Sequence, residues 1–196
     1  MSPSGRGKTA PGKIRIVAGS RRGHRLKVSA VGDVRPTGER VREAIFDVLG
    51  PVEGLHVLDL FAGTGAMGLE ALSRGAAGCV FVESDRVVAA ILRANIQALD
   101  FESVSRVVAS DYYAAASRLV AEPAPFDLLF LDPPYRMLPE VEARLEPLLP
   151  GLLGEDGAVV IEGPRSAGAC FSRDPVFARD YGDTRVIMIS MRRNGR

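Results

Sequence analysis

Cysteine is scarce in this chain of 196 residues: Cys79 and Cys170 stand far apart, and neither belongs to a Cys-x-x-Cys pair or a Cys/His cluster. That spacing argues against a disulfide framework and offers no zinc ligand set, so no metal is expected. Histidine is equally sparse. His24 and His56 are the only two, and neither accompanies a serine or cysteine nucleophile motif, which sets aside Ser/His/Asp and Cys/His chemistry. Long apolar runs are missing as well: nothing approaches the roughly 18 consecutive apolar residues of a membrane-spanning helix, and MSPSGRGKTAPGK lacks the apolar core of a secretory signal. The expectation is a soluble, cytoplasmic protein with no membrane partner. Net charge nearly vanishes at +1, but acidic residues are wholly absent from residues 1–32, leaving 17 of the 25 basic residues against all 24 acidic ones in the remainder. A basic arm precedes an acidic body.

The length and the 46% hydrophobic content suit one domain with a sizeable core. From Val57 onward short apolar runs alternate with stretches of helical period, the pattern of a parallel sheet with crossover helices. Strands are predicted at 55–61, 78–83, 104–109, 126–131 and 157–162, and FARDYGD and TRVIMISMR read as two antiparallel strands that finish a seven-stranded sheet. The first helix is expected from near Gly65 to Gly75. The second starts after Ser84 or Asp85, with Val88, Ile91, Leu92, Ile96 and Leu99 on one face. Ahead of this core, KIRIVAG and HRLKV read as a small hairpin with GSRRG as its turn. It is followed by a helix capped by Thr37, with Val41, Ala44, Ile45, Val48 and Leu49 on its apolar face. Residues 1–12 are expected to be a disordered basic tail. Residues 13–196 then form one domain, divided into a hairpin at 13–34 and a core at 35–196.

Gly63-Thr64-Gly65-Ala66-Met67-Gly68 matches the dinucleotide-binding pattern G-x-G-x-x-G, with Glu83 20 residues beyond Gly63. Asp59 argues against a dinucleotide, because a carboxylate four residues before the first glycine would repel a pyrophosphate. S-adenosylmethionine carries no phosphate and brings a cationic sulfonium and an ammonium, which a carboxylate favours. Gly63 and Gly65 would let backbone approach the methionyl and ribose portions, and Glu83 would accept the ribose hydroxyls. Asp111 could accept from the adenine amino group, or simply cap a helix, and Tyr112 could pack on the ring. Phe61, Thr64 and Ser84 complete this candidate cofactor set.

FDLLFL runs directly into Asp132-Pro133-Pro134-Tyr135, at the carboxyl end of the fourth predicted strand, where open α/β sheets bind ligands. An exocyclic amine on a base is a poor nucleophile, because its lone pair is delocalised into the ring. An Asp132 carboxylate and a Pro133 carbonyl that each accept one N–H would aim that lone pair at a methyl donor. The prolines stiffen the loop, Tyr135 would stack on the base, and Asp132 would take the released proton.

With DLFAGTGAMGLEALSRGA, the DPPY loop and RIVAGSRRGHRLKV…RPTGERVREAIF in hand, the chain resembles the bacterial 16S ribosomal RNA guanine-N2 methyltransferases over roughly residues 13–192. The resemblance implies a Rossmann-like class I S-adenosylmethionine-dependent methyltransferase fold, a mostly parallel seven-stranded sheet with helices on both faces. It implies Asp132 to Tyr135 as the catalytic loop, with Gly63, Gly65 and Glu83 as cofactor contacts. Arg35, Pro36 and Thr37 with Arg40 would line the methionyl end or the entering nucleotide. The implied substrate is 16S ribosomal RNA, within a partly assembled small subunit that includes ribosomal proteins, and the protein is expected to act as a monomer. Arg15, Arg21, Arg22, Arg25 and Lys27 on the hairpin, joined by Arg40, are the candidate phosphate contacts. Rival readings are a DNA adenine-N6 methyltransferase, for which the chain lacks room for a recognition insertion, and a protein-glutamine methyltransferase. A third is a non-catalytic RNA-binding assembly factor.

Overall fold

The computed structural model describes residues 14–28, 38–123, 125–168 and 171–192. The tail at 1–12, Arg35, Thr37 and Cys170 lie outside them. Among the described residues nine strands form two sheets. A short antiparallel pair, β1 (Ile14–Arg15) and β2 (Arg25–Leu26), is the expected hairpin. The main sheet comprises β3 (His56–Asp59), β4 (Gly78–Val82), β5 (Ser105–Val108), β6 (Phe126–Leu131), β7 (Leu153–Pro164), β8 (Phe177–Tyr181) and β9 (Thr184–Ser190). Its order is β5-β4-β3-β6-β7-β9-β8, parallel through β7, with β9 and β8 antiparallel at one edge. The chain runs outward from β3 to β5, then crosses back to β6 on the other side of β3, so the switch point lies between β3 and β6.

Helices cover both faces. One apolar layer gathers α1 (Glu39–Leu49), α2 (Ala66–Ser73) and α3 (Arg86–Ala98) with the hairpin, through residues such as Phe46, Leu69, Leu92, Phe81 and Phe130. The other gathers α4 (Tyr112–Leu119), α5 (Leu138–Leu145) and α6 (Leu149–Leu152). Gly68 on α2 lets helix and sheet meet closely: a Cβ there would sit 2.3 Å from the Phe81 ring and 2.7 Å from Cys79 Sγ. The end of α2 is closed by Gly75 at φ 102°, whose N–H bonds Leu72 O while that of Ala76 bonds Ala71 O, the paired bonds of a Schellman cap.

Three expectations are corrected. The cap of α1 is Gly38, with no side-chain bond, rather than Thr37. Of the predicted face of α1, Ile45 is buried and Val41 and Leu49 pack against the core, but Arg42 and Phe46 are buried with them and Val48 stays 44% exposed. Arg42 is not among the residues of the predicted face; its guanidinium donates to Arg15 O at 2.7 Å beneath the hairpin. Finally, β7 is longer than 157–162: Leu153 pairs with Phe126 and Ala158 with Leu128, so an irregular stretch on β7 separates the two pairings.

Candidate active site

Strand register brings the two motif loops together. Asp59 on β3 pairs with Phe81 on β4 and Phe130 on β6, and the bonds Leu60 N–H to Phe130 O and Ala62 N–H to Val82 O extend the pairing past β3. Continuing that register sets Glu83 on one side of Phe61 and Asp132 on the other. Asp111 follows β5 and completes a row along the carboxyl rim. Three strand spacings of about 4.8 Å make this row roughly 14 Å long, enough for an extended nucleoside-bearing ligand.

The glycine loop is shaped by its surroundings. Gly63 has φ 53° and Gly65 φ 94°, both in the region that favours glycine. A Cβ on Gly65 would lie 2.5 Å from Leu92 Cδ1, whereas one on Gly63 would meet nothing within 4 Å. The loop is thus packed from below and open above at its first glycine. Glu83 fixes the rim beside it, accepting Gly63 N–H at 2.9 Å and Asp85 N–H at 2.7 Å, one on each carboxylate oxygen. Ser84 is exposed next to it, and Asp85 caps α3 through Val87 and Val88 N–H.

Asp59 is 3% exposed and accepts Gly68 N–H at 3.1 Å. Burial pushes its carboxyl up to about 7, against the opposing pull of the Gly68 and Phe61 N–H groups and with a smaller push from the Glu83 charge. A cation arriving beside it would reverse that shift. Thr64 is nearly buried, and Phe61 packs its ring on Tyr112 at 5.1 Å. Tyr112 is buried at the start of α4, so its ring reaches the rim through Phe61, and Asp111 caps that helix by accepting Tyr113 and Ala114 N–H.

On the other side of β3, Asp132 is half-buried, Pro133 buried and Pro134 exposed. The loop turns at once, with Met137 N–H bonded to Pro134 O at 2.7 Å. Tyr135, 37% exposed, is held at its far end: its hydroxyl lies 2.7 Å from Thr184 Oγ1, the first residue of β9. Because β9 runs antiparallel, its start arrives at the same rim where the parallel strands end. Thr184 carries no signal in the sequence.

The arm is bound to the core by buried groups that sequence reasoning also missed. Glu70, fully buried on α2, accepts Val17 N–H at 2.7 Å and Ala18 N–H at 2.9 Å, and pairs with Arg74 at 2.8 Å. Ser73 Oγ donates to Ala18 O and accepts Arg21 N–H. Asn95 on α3 takes hold of Lys27. Of the candidate RNA contacts, Arg21 is committed to the core, its Nε donating to Leu99 O at 2.7 Å with Asp100 and the Phe101 ring beside it. Arg15 pairs with Glu39, while Arg22, Arg25, Lys27 and Arg40 are exposed. Glu70, Asn95 and Arg42 share one legible mark: each is a polar residue on an otherwise apolar helical face.

Among the described residues no group of His, Cys, Asp and Glu could hold a metal ion, and no helix is long and apolar enough to cross a membrane. The rim could instead hold S-adenosylmethionine. Gly63 offers open space, Glu83 retains a second lone pair on each oxygen, and buried Asp59 favours a cation.

The family model described as conserved hypothetical protein 95 matches residues 14–189. Ribosomal RNA small subunit methyltransferase D of Escherichia coli K12 is 42% identical over 154 residues, 77% of this chain and 75% of its own length. The solved Escherichia coli protein yhhF superposes with a TM-score of 0.78 at 34% identity, covering 92% of this chain and 99% of that one. An RNA methyltransferase from Salinibacter ruber, in complex with S-adenosyl-L-homocysteine, shares the fold with a TM-score of 0.62 at 18% identity, covering 82% of this chain and 96% of that one. The architecture is thus the class I methyltransferase fold, and the chain belongs to the conserved hypothetical protein 95 family, together with ribosomal RNA small subunit methyltransferase D.

Proposed function

We propose that this chain transfers a methyl group from S-adenosylmethionine to the exocyclic N2 amine of a specific guanine in 16S ribosomal RNA, in the cytoplasm, acting as a monomer on a partly assembled small subunit. One observation carries the reading: the acidic, proline-stiffened DPPY loop and the open glycine loop share the switch point of one sheet, across β3 and β6. Gly63, Gly65 and Glu83 hold the cofactor, Asp59 attracts its charge, and Phe61, Asp111 and Tyr112 border its adenine end. Bound there, S-adenosylmethionine supplies an activated methyl on a cationic sulfonium.

The chain's own residues prepare the amine. Asp132 and the Pro133 carbonyl each accept one N–H, which turns the nitrogen lone pair out of conjugation and along the line of attack. Tyr135 stacks on the base, anchored by Thr184 at its hydroxyl. Asp132 then holds the proton that the methylated amine gives up. A stacked or paired target base must be turned out into this pocket at a cost of a few kcal/mol, and the exposed Arg22, Arg25 and Lys27 grip the deformed backbone.

The test is methyl incorporation from labelled cofactor into 16S ribosomal RNA, small subunits and DNA, with nucleoside mass spectrometry of the products. N2-methylguanosine is expected. N6-methyladenine in DNA would move the activity to the rival amine, and RNA binding with no label would mark a non-catalytic assembly factor.

A further inference from the structure

Asn95 is 2% exposed, and the oxygen and both N–H groups of its carboxamide bond to backbone from two distant segments. Oδ1 accepts Lys27 N–H at 2.8 Å, Nδ2 donates to Lys27 O at 3.0 Å, and the same Nδ2 donates to Thr64 O at 2.9 Å. Toward the arm, the amide behaves as a strand neighbour, reading both polar groups of one residue. Toward the glycine loop, it fixes a peptide plane. The carbonyl of the Thr64–Gly65 peptide is held by Asn95, and its N–H is held by Ala62 O at 2.7 Å, so rotating the plane breaks a bond at each end. Leu92, one turn earlier on α3, closes the space beneath Gly65. The bond to Thr64 is buried and the two to Lys27 are partly so; losing the first would strand a backbone carbonyl in a low-dielectric interior, which holds the glycine-loop end of the link rigid.

On the proposed reading of the glycine loop as the cofactor site and the arm as an RNA grip, on which this rests, we infer that Asn95 is a positioning residue that couples the two. RNA held on the arm stiffens the Lys27–Asn95–Thr64 link, fixes the glycine loop in its cofactor-binding shape and tightens cofactor binding; by linkage, bound cofactor tightens RNA binding equally. The role is distinct from packing. A residue that merely filled space would affect stability without making the two affinities interdependent.

Calorimetry of S-adenosylhomocysteine binding to the full chain, with and without a saturating 16S ribosomal RNA transcript, reads the coupling directly. RNA is expected to tighten binding about fivefold or more in the natural chain and to leave it nearly unchanged in Asn95→Ala. Hydrogen exchange on the natural chain gives a second measurement that needs no variant: RNA should slow exchange at both the Lys27 and Gly65 amides. Equal tightening in the variant, no tightening in the natural chain, or an unaltered Gly65 amide would each overturn the inference while leaving the cofactor site standing. Failure of the natural chain to bind S-adenosylhomocysteine at all would bring down the cofactor reading, and this one with it.

Discussion

The carboxylates of Asp132 and Glu83 flank β3 at the same rim, and the proposed chemistry gives them separable work. Asp132→Ala should slow methyl transfer by about a thousandfold or more, since it removes both an amine acceptor and the proton's destination, yet shift cofactor affinity only a few-fold. Glu83→Ala should do the opposite and weaken cofactor binding by about 2–3 kcal/mol, roughly 30- to 150-fold, by removing two charge-assisted bonds. Calorimetry and single-turnover rates on the two variants would expose an exchange of roles. Tyr135 and Thr184 make a narrower prediction. Tyr135→Phe and Thr184→Val should each lower the transfer rate about three- to tenfold, and the double variant should be no worse than either, because both remove one hydrogen bond. Additive losses would mean that the bond does not aim the ring.

At the scale of elements, the arm is a docked structure whose outer basic residues remain exposed. Glu70 holds two of its backbone N–H groups in full burial, so Glu70→Ala should destabilise the protein by about 3 kcal/mol in urea unfolding, strand the Arg74 charge and open the arm to proteolysis. Gly19 leaves no latitude either: at φ 81° a Cβ would stand 1.8 Å from Ser73 O. Exposed Arg22, Arg25 and Lys27, replaced together by alanine, should flatten the salt dependence of RNA affinity by roughly 0.7–0.9 in log–log slope for each phosphate that is no longer neutralised; an unchanged slope removes the arm from the interface. The strands, the glycine loop and the DPPY loop were legible in sequence because apolar runs, glycines and prolines act locally. The arm's anchors were not. Glu70 binds residues more than 50 positions away and Asn95 reaches 68, and in each case the partner is backbone, which carries no side-chain signature. Arg42 misled for a related reason: a charge reads as a surface residue unless the carbonyl that receives it is known.

For the molecule as a whole, two apolar layers share one sheet, and the buried Asp59 sits where that sheet meets α2. Its carboxyl binds a proton up to about 7 when folded, against 3.8 ordinarily, so folding takes up a proton between those values. The contribution is therefore complete below about pH 4 and lost as pH rises through about 7, and thermal unfolding of the ligand-free chain should show stability falling across that window. Asp59→Asn should flatten the profile. Bound cofactor should oppose the trend, because a cation beside Asp59 favours the ionised form; binding near pH 6.5 should release a proton, measurable in buffers of different ionisation heat. The antiparallel edge has a further consequence. Parallel strands offer the ligand rim only their outgoing loops, fixed in length by the helices that follow, but Gly182 and Asp183 form a tight reversal there that answers to no helix. On the proposed reading, lengthening or shortening that reversal would reshape the entry past Tyr135, which leans on Thr184, while the paired strands of the core kept their register.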